Sequence, residues 1–513
     1  MKTIYKLSGF ALLISFALFF NACEEKLDEP ALNNTFAGGT DFSKTDDMLL
    51  SIVGVYEAFQ SRGWEQALLI SVRGDDVNSG GLGDQQDFTE TDLFNYNKDY
   101  WMYNSLWENV YKDVISAHTG MEQIARYREL ANASGQALAD QYTAEAMVLR
   151  SVMLLQISQV WGDVFIPKTS NTVELLSVEK LPTQQEVMQH ISDQMDLALV
   201  HLPKIHPNKR QDLPGGVTYY TALAVKALAN QELSNYQEVA NATGEIIASG
   251  KYELFSDFYE LFKTPGKLSN ESILDIQYSD YGQGTGDSSN HLYAPYGPQG
   301  WTPAVDGAAS GWGFFEPSMK FIKFMLDRGE TIRLETSVLF TNRGIAEIQK
   351  DSKYTSLPSF VKNTTRDGDR INDYARALFS SGKHYLPSNQ LIPGRTSYGS
   401  NKNYNIIRYA EILLIYAEAV KHGANAASIS ADQAVNLVRQ RAGLLPLSSV
   451  SLDQVLEEKF AELSMEWGKR YFDLIRLGRY SELNYDGRSF SEDKKFLPYP
   501  QVQVDQFPIL GDK

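Results

Sequence analysis

Residues 280–314 carry groups suited to binding rather than to bond-breaking: of 35 residues, eight are Gly, three Pro and six aromatic, and none is Lys or Arg. A stretch of that length without helical or strand periodicity is either functional or disordered, and this much aromatic side chain argues against disorder. Tyr293, Tyr296, Trp301 and Trp312 are therefore candidates for a ligand platform, because an aromatic face is a flat apolar surface on which a ring can stack. The competing reading is that these rings pin the loop to helices beneath it.

Reactive chemistry is hard to find. The chain has no G-x-S-x-G elbow, no G-x-x-x-x-G-K-[ST] phosphate loop and no H-E-x-x-H zinc helix. Gly282-Gln283-Gly284-Thr285-Gly286 has neither the strand before it nor the helix after it that a dinucleotide site needs. The seven histidines are scattered, so no metal site is expected, and no cofactor either. Glycoside hydrolysis needs only two carboxylates roughly 5–10 Å apart, and Asp75 with Asp76, beside aromatic residues, is the pair that comes nearest. A solvated acidic loop, or hydrogen bonds from ligand hydroxyls, explains that pair better. No catalytic residue is assigned.

The N-terminus reads as an export signal: Lys2 and Lys6, a 14-residue apolar run over 7–20, then Asn21-Ala22-Cys23. The run is shorter than the ~20 residues of a membrane-spanning helix. Cys23 is the only cysteine, which excludes an internal disulfide and thiol catalysis. Its place directly after the apolar run resembles a bacterial lipobox, so acylation of Cys23 is expected, with Glu24 and Glu25 following. Cleavage before Cys23 removes two lysines and no acid, leaving 45 basic residues against 64 acidic. Nucleic acid is thus a poor partner.

The elements that must position the aromatic loop are helical. Hydrophobic residues make up 43% and charged residues 22% of 513, a globular composition. Apolar residues recur at steps of three and four over 405–420, N-I-I-R-Y-A-E-I-L-L-I-Y-A-E-A-V, with Arg408, Glu411 and Glu418 on another stripe. Helices are also predicted over 46–60, 106–129, 141–160 and 186–202, whereas the Gly-, Asp- and Asn-rich residues 73–99 read as a loop. Residues 219–250 read as two helices around a Ser-Asn-Tyr turn, with Leu223, Ala224, Leu228, Tyr236 and Ala240 at packing positions, which matches the tetratricopeptide (TPR) layout. Residues 432–442 should pair with the 405–420 helix in the same way. Each pair leaves an apolar face that only a neighbouring pair can bury, so the pairs should stack into a superhelix.

Several segments resemble the SusD/RagB family of outer-membrane nutrient-binding lipoproteins. They are the 405–420 helix, Trp161-Gly162-Asp163 after an Ala- and Glu-containing helix, Gly382-Lys383-His384-Tyr385, Gln433 to Gly443 (Q-A-V-N-L-V-R-Q-R-A-G), Glu462 to Gly478 (E-L-S-M-E-W-G-K-R-Y-F-D-L-I-R-L-G) and Leu497-Pro498-Tyr499-Pro500. Ala117-His118-Thr119 departs from the family's usual pair at that place. The charged residues of the last third should satisfy one another inside the fold.

The resemblance implies a mostly α fold with TPR-like pairs stacked in a superhelical platform and a loop-rich, irregular ligand face. Signal peptide 1–22, tether 23–45, N-terminal helical region 46–278, ligand-face region 279–400 and C-terminal helical region 401–513 would follow one another. It also implies a non-catalytic surface protein, lipid-anchored in the outer membrane, that binds an oligosaccharide or polysaccharide and delivers it to a SusC-like TonB-dependent transporter. By position in the family, Arg73 and Trp101 from the early loop would join Tyr296, Trp301 and Trp312 in the site. An oligopeptide-binding lid, a surface glycoside hydrolase and a scaffold without a small ligand are the alternatives.

Overall fold

The computed structural model describes residues 40–61, 63–80, 85–278, 293–392 and 400–512. Cys23, the 282–286 glycine run and most of the expected tether lie outside them.

Eight helices form the stack: α1 (Met48–Gln60), α3 (Trp101–Leu130), α4 (Ala133–Trp161), α5 (Gln184–Leu199), α6 (Tyr219–Glu232), α7 (Tyr236–Ala248), α8 (Tyr409–Lys421) and α9 (Ala431–Arg441). Between α1 and α3 the chain inserts two short helices, Trp64–Ser71 and α2 (Gln86–Asp92). Each stacked helix packs on the one before and the one after, so α7 meets α8 although 160 residues separate them in sequence. Small residues set the spacing. A Cβ at Gly120 would sit 2.4 Å from a Val55 methyl, and one at Gly244 would sit 2.7 Å from Ala427. Local signals fix the starts: Thr183 and Glu186 form a reciprocal capping box on α5, and Asn132 caps α4 through Gly135 N–H at 3.0 Å.

Strand pairing is sparse and local. The described residues hold four two-stranded antiparallel ladders. In chain order the strands are β1 (Val77–Asn78), β2 (Ser272–Ile276), β3 (Trp301–Thr302), β4 (Glu316–Pro317), β5 (Val338–Phe340), β6 (Arg370–Ile371), β7 (Phe379–Ser381) and β8 (Tyr404–Arg408). The pairs are β1 with β4, β2 with β8, β3 with β6 and β5 with β7. Because β2 pairs with β8, from Ser272 opposite Arg408 to Ile276 opposite Tyr404, the chain leaves the stack and returns to it at one place.

That ladder corrects the predicted helix over 405–420. Residues 405–408 are strand, and the helix begins at Tyr409 with Arg408 as its N-cap. The residues of the charged stripe lie inside the fold, Arg408 and Glu418 fully buried and Glu411 nearly so. The 73–99 loop also contains more structure than expected, namely β1 and α2, because its backbone pairs with β4 and side chains of α2 reach the start of α3, the Thr91 and Tyr103 hydroxyls lying 2.7 Å apart.

Around Arg408, at the end of β8, lies a network of buried ion pairs supplied by α9, α10 (Leu452–Leu463), the turn after it, Glu271 just before β2 and Arg333 of the excursion between β2 and β8. Arg408 meets Glu271 at 2.8 Å, Glu462 at 2.6 Å and Glu466 at 2.8 Å. Arg441 adds Glu271 at 3.0 Å and Glu462, and Arg333 adds Glu458 at 2.7 Å. Burial pushes the Glu462 carboxyl up, but Arg441, Arg408 and Arg333 more than reverse this and hold it at about 2. Lys383 reaches into the same network, donating to the carbonyls of Glu462 at 2.8 Å and Ser464 at 2.9 Å and to the Glu466 carboxylate at 2.7 Å. Gly382 before it has no room for a side chain, because a Cβ there would lie 2.0 Å from the Thr336 carbonyl. The charged residues of the last third thus satisfy one another, as the sequence suggested.

Candidate ligand-binding site

The early loop and the central loop meet edge to edge. Phe315 N–H donates to the Ser79 carbonyl at 3.0 Å, Ser318 N–H to the Asp76 carbonyl at 2.9 Å, and the Ser318 hydroxyl to the Asp75 carbonyl at 2.7 Å. The ladder of β1 with β4 runs between these bonds. Within the central loop, residues 295–298 lie against 311–314: Gly311 N–H donates to Pro298 at 2.9 Å, Gly313 N–H to Gly297 at 3.0 Å and Phe314 N–H to Pro295 at 3.0 Å. A Cβ on Gly311 would stand 2.5 Å from the Gly297 Cα. The loop's glycine content therefore serves backbone contact.

This junction presents Trp312 at the surface, 36% exposed, with its ring edge-on to Phe314 at 6.2 Å. Arg376 covers the Phe314 ring at 4.3 Å, and Phe88 of α2 meets the same ring at 5.8 Å. Beside Phe88, the Asp87 carboxylate accepts the backbone N–H of Met102, which couples α2 to the first turn of α3. Trp101 stands on that turn, 51% exposed. Among the described side chains, Trp101 and Trp312 are the only exposed aromatic residues.

The other expected site residues are elsewhere. Tyr296 is fully buried against Phe315 at 5.0 Å and His384 at 4.7 Å, so it holds the loop to the core. Trp301 pairs through its backbone with Ile371 and packs edge-on to Tyr385 at 6.1 Å, in a satellite cluster with Tyr259, Leu339 and Leu386. For these two rings the pinning interpretation is the correct one. Arg73 is fully buried, with its guanidinium 4.3 Å from the centre of the Tyr471 ring, and it offers nothing to a surface ligand. The side chain of Tyr293 lies outside what is described.

Asp75 and Asp76 form neither a catalytic pair nor a solvated loop. Asp75 is fully buried and held by Arg470 at 2.7 Å and Lys320 at 2.6 Å. Burial pushes Asp76 up to about 6, although its carboxylate accepts the Met465 N–H at 2.6 Å. Two further carboxyls of the junction are raised by burial, Asp92 to about 6 and Glu316 to about 7, Glu316 despite accepting the N–H groups of Leu378 and Phe379. Among the described residues no group of three or more His, Cys, Asp and Glu side chains is placed to hold a metal ion.

Sequence reasoning missed Arg376 and Phe88. An isolated Arg and a Phe within an acidic helix carry no local signal, and only the folded junction brings them to Phe314.

Comparison with known proteins fits this architecture. Residues 270–505 match the model of the SusD family, and residues 43–225 match a SusD-like model described as starch-binding and associating with the outer membrane. The chain is 24% identical over 495 residues to SusD-like protein P2 of Formosa agariphila, covering 92% of this chain and 90% of that protein. It is 20% identical over 576 residues to a SusD-like protein of Bacteroides ovatus, covering 99% and 98%. Among solved structures, surface glycan-binding protein A from Bacteroides thetaiotaomicron in complex with laminarihexaose superposes with a TM-score of 0.72 at 24% identity, covering 90% of this chain and 97% of that one. A laminarin-binding SusD-like protein superposes with a TM-score of 0.73 at 20% identity, with the same coverage. At these identities the superpositions establish the shared helical fold. With residues 43–225 and 270–505 matched by SusD-like and SusD family models, the chain belongs to the SusD family.

Proposed function

We propose that this protein binds a neutral oligosaccharide or polysaccharide at the surface between its early and central loops and holds it without cleaving it. The observation that carries the reading is that Trp101, on the first turn of α3, and Trp312, in the central loop, are the only exposed aromatic residues among the described side chains. Sugar rings offer apolar C–H faces and a rim of hydroxyls, so a flat indole stacks on the face while polar neighbours bond the rim. The burial of Asp75 and Asp76 in ion pairs and backbone hydrogen bonds removes the carboxylate pair that best suited hydrolysis. Membership of a family whose matched model is described as associating with the outer membrane supports a surface location. We extend this to a lipid anchor on Cys23 and to a partner, a SusC-like TonB-dependent barrel that takes up the captured glycan. The glycan named for two structural relatives makes laminarin a natural first probe.

Affinity gel electrophoresis against laminarin, starch, xyloglucan and galactomannan, with an oligopeptide pool as competitor, tests the reading. Retardation by one polysaccharide, lost in Trp101→Ala and Trp312→Ala and accompanied by no release of reducing ends, is expected. Competition by peptide with no polysaccharide retardation would reassign the site to oligopeptides.

A further inference from the structure

One surface feature continues away from the two tryptophans. On α3, steps of seven, eleven and eighteen residues from Trp101 return to within roughly 20° of the same direction at 3.6 residues per turn, so Glu108, Lys112 and Thr119 share its stripe. All four are exposed. The stripe extends about 27 Å from Trp101 to Thr119 at 1.5 Å per residue. Its later part forms one wall of a groove of ≈ 550 Å³. The opposite walls are the short 3-10 helix Thr172–Ser177 and the C-terminal helix Gln501–Gln506 with the Phe507 that follows it.

The floor is built of interlocked rings. Trp107 meets Tyr111 at 4.9 Å and Phe165 at 6.5 Å, and Phe165 meets Phe507 at 5.3 Å. Gln503 ties the C-terminal helix to the stripe, donating to Asn104 at 2.8 Å and Glu108 at 3.2 Å. The volume falls within the roughly 300–1,000 Å³ of ligand pockets. Its lining is buried rings below, the exposed aliphatic side chains of Val173 and Leu176 on the wall of the 3-10 helix, and hydroxyls, side-chain amides, one ammonium and one carboxylate around them, so the rim has no net charge and offers both apolar contact and hydrogen bonds. That suits a neutral polyhydroxylated chain, and continuity along one helix stripe with the exposed Trp101 says which chain.

We propose that this groove is a second subsite for the glycan held at Trp101 and Trp312, so that the protein selects long chains over short ones. The proposal rests on the glycan-binding reading above and adds a length preference to it. A chain stacked on Trp101 runs down α3 into the groove, while a trisaccharide is satisfied by the tryptophans alone.

Titration calorimetry on the mature protein with laminarin and laminaritriose, or with the retarding polysaccharide and its trimer where the gels select another, tests it. The variants are Lys112→Ala/Gln506→Ala, which strips exposed rim groups, and Ser116→Trp, which fills the groove. Polymer affinity should fall about tenfold, a shift of the size expected for one lost set of contacts, with trimer affinity and melting temperature unchanged. Unchanged polymer affinity in both variants overturns the subsite and leaves the tryptophan site standing. Equal losses for polymer and trimer overturn the length preference. A wild-type protein that binds no polysaccharide overturns both readings together, and binding of the peptide pool that disappears in the groove variants assigns the groove to peptide instead.

Discussion

The indole N–H of Trp161 donates to the carbonyl of Pro498 at 3.0 Å, across 337 positions of sequence. Tyr499 returns the contact, its hydroxyl donating to the Asp163 carbonyl at 2.6 Å. Gly162 between them adopts φ +79°, and a Cβ there would meet the Phe496 ring at 2.8 Å. The Trp-Gly-Asp turn at the end of α4 and the Leu-Pro-Tyr-Pro tail are thus two halves of one clasp.

Opening that clasp should cost stability and little else. Trp161→Ala removes a buried ring and leaves a carbonyl without its donor, and a loss of about 3–5 kcal/mol is expected. Thermal denaturation checks it, with glycan affinity of the residual folded protein unchanged.

The two kinds of tryptophan should separate cleanly. Trp312→Ala and Trp101→Ala should each weaken glycan binding by about tenfold or more, as loss of a stacking anchor does, with the melting temperature held. Trp301→Ala should instead lower the melting temperature, by about 3–5 kcal/mol of stability, because its ring belongs to the cluster around Tyr385. Calorimetry and thermal melts on the same preparations distinguish them, and full affinity in both Trp101 and Trp312 variants would place the site elsewhere.

Gly311→Ala should damage the platform from beneath. The added methyl must push residues 311–314 away from Gly297, and overpacking of this kind costs about 1–3 kcal/mol. Since the displaced backbone carries Trp312, affinity should fall along with stability. An Ala variant with wild-type affinity would show that the contact between the two glycines does not set the position of the indole.

Stability should respond to pH from both sides. Burial raises Glu316 to about 7, so the folded protein keeps a proton that the unfolded chain releases from about 4.5 upward. Its stabilising contribution is complete below that value and is lost as pH rises through about 7. Glu462 works in the opposite direction: held at about 2, it contributes fully above about 4.5 and is lost as pH falls toward 2. Buried histidines such as His118, held at about 4, push the other way as pH rises toward 6.5, so the clean readout is a difference: Glu316→Gln, which keeps an acceptor for the two N–H groups and cannot ionise, should gain melting temperature relative to the unsubstituted protein as pH rises from 5 to 7. Glu462→Gln should cost about 3–5 kcal/mol at neutral pH, because it leaves buried arginines uncompensated.

The sequence revealed the stack more clearly than the site. Helices such as α5 and α6 announce themselves through local signals, a Thr-x-x-Glu box or a three-and-four apolar rhythm, and these survive folding because neighbouring helices reinforce them. The start of α8 was misread because an amphipathic rhythm runs unbroken from residues 405 to 420, while the pairing that makes 405–408 a strand comes from β2, far away in sequence. Among the loop aromatics, composition identified the segment but not the direction of each ring. Tyr296 turns inward and Trp312 outward because of backbone contacts made by Gly297, Gly311 and Gly313, which no periodicity encodes. Arg73 and Asp75 looked like a polar loop, yet their partners Tyr471 and Arg470 lie almost 400 residues away.

The ladder of β2 with β8 brings the two ends of the 277–403 excursion side by side, and both ends are fixed by the helical stack rather than by what lies between them. The excursion is in that sense a cassette with a fixed socket. Its contents could be exchanged or lengthened while the frame that receives them keeps its shape.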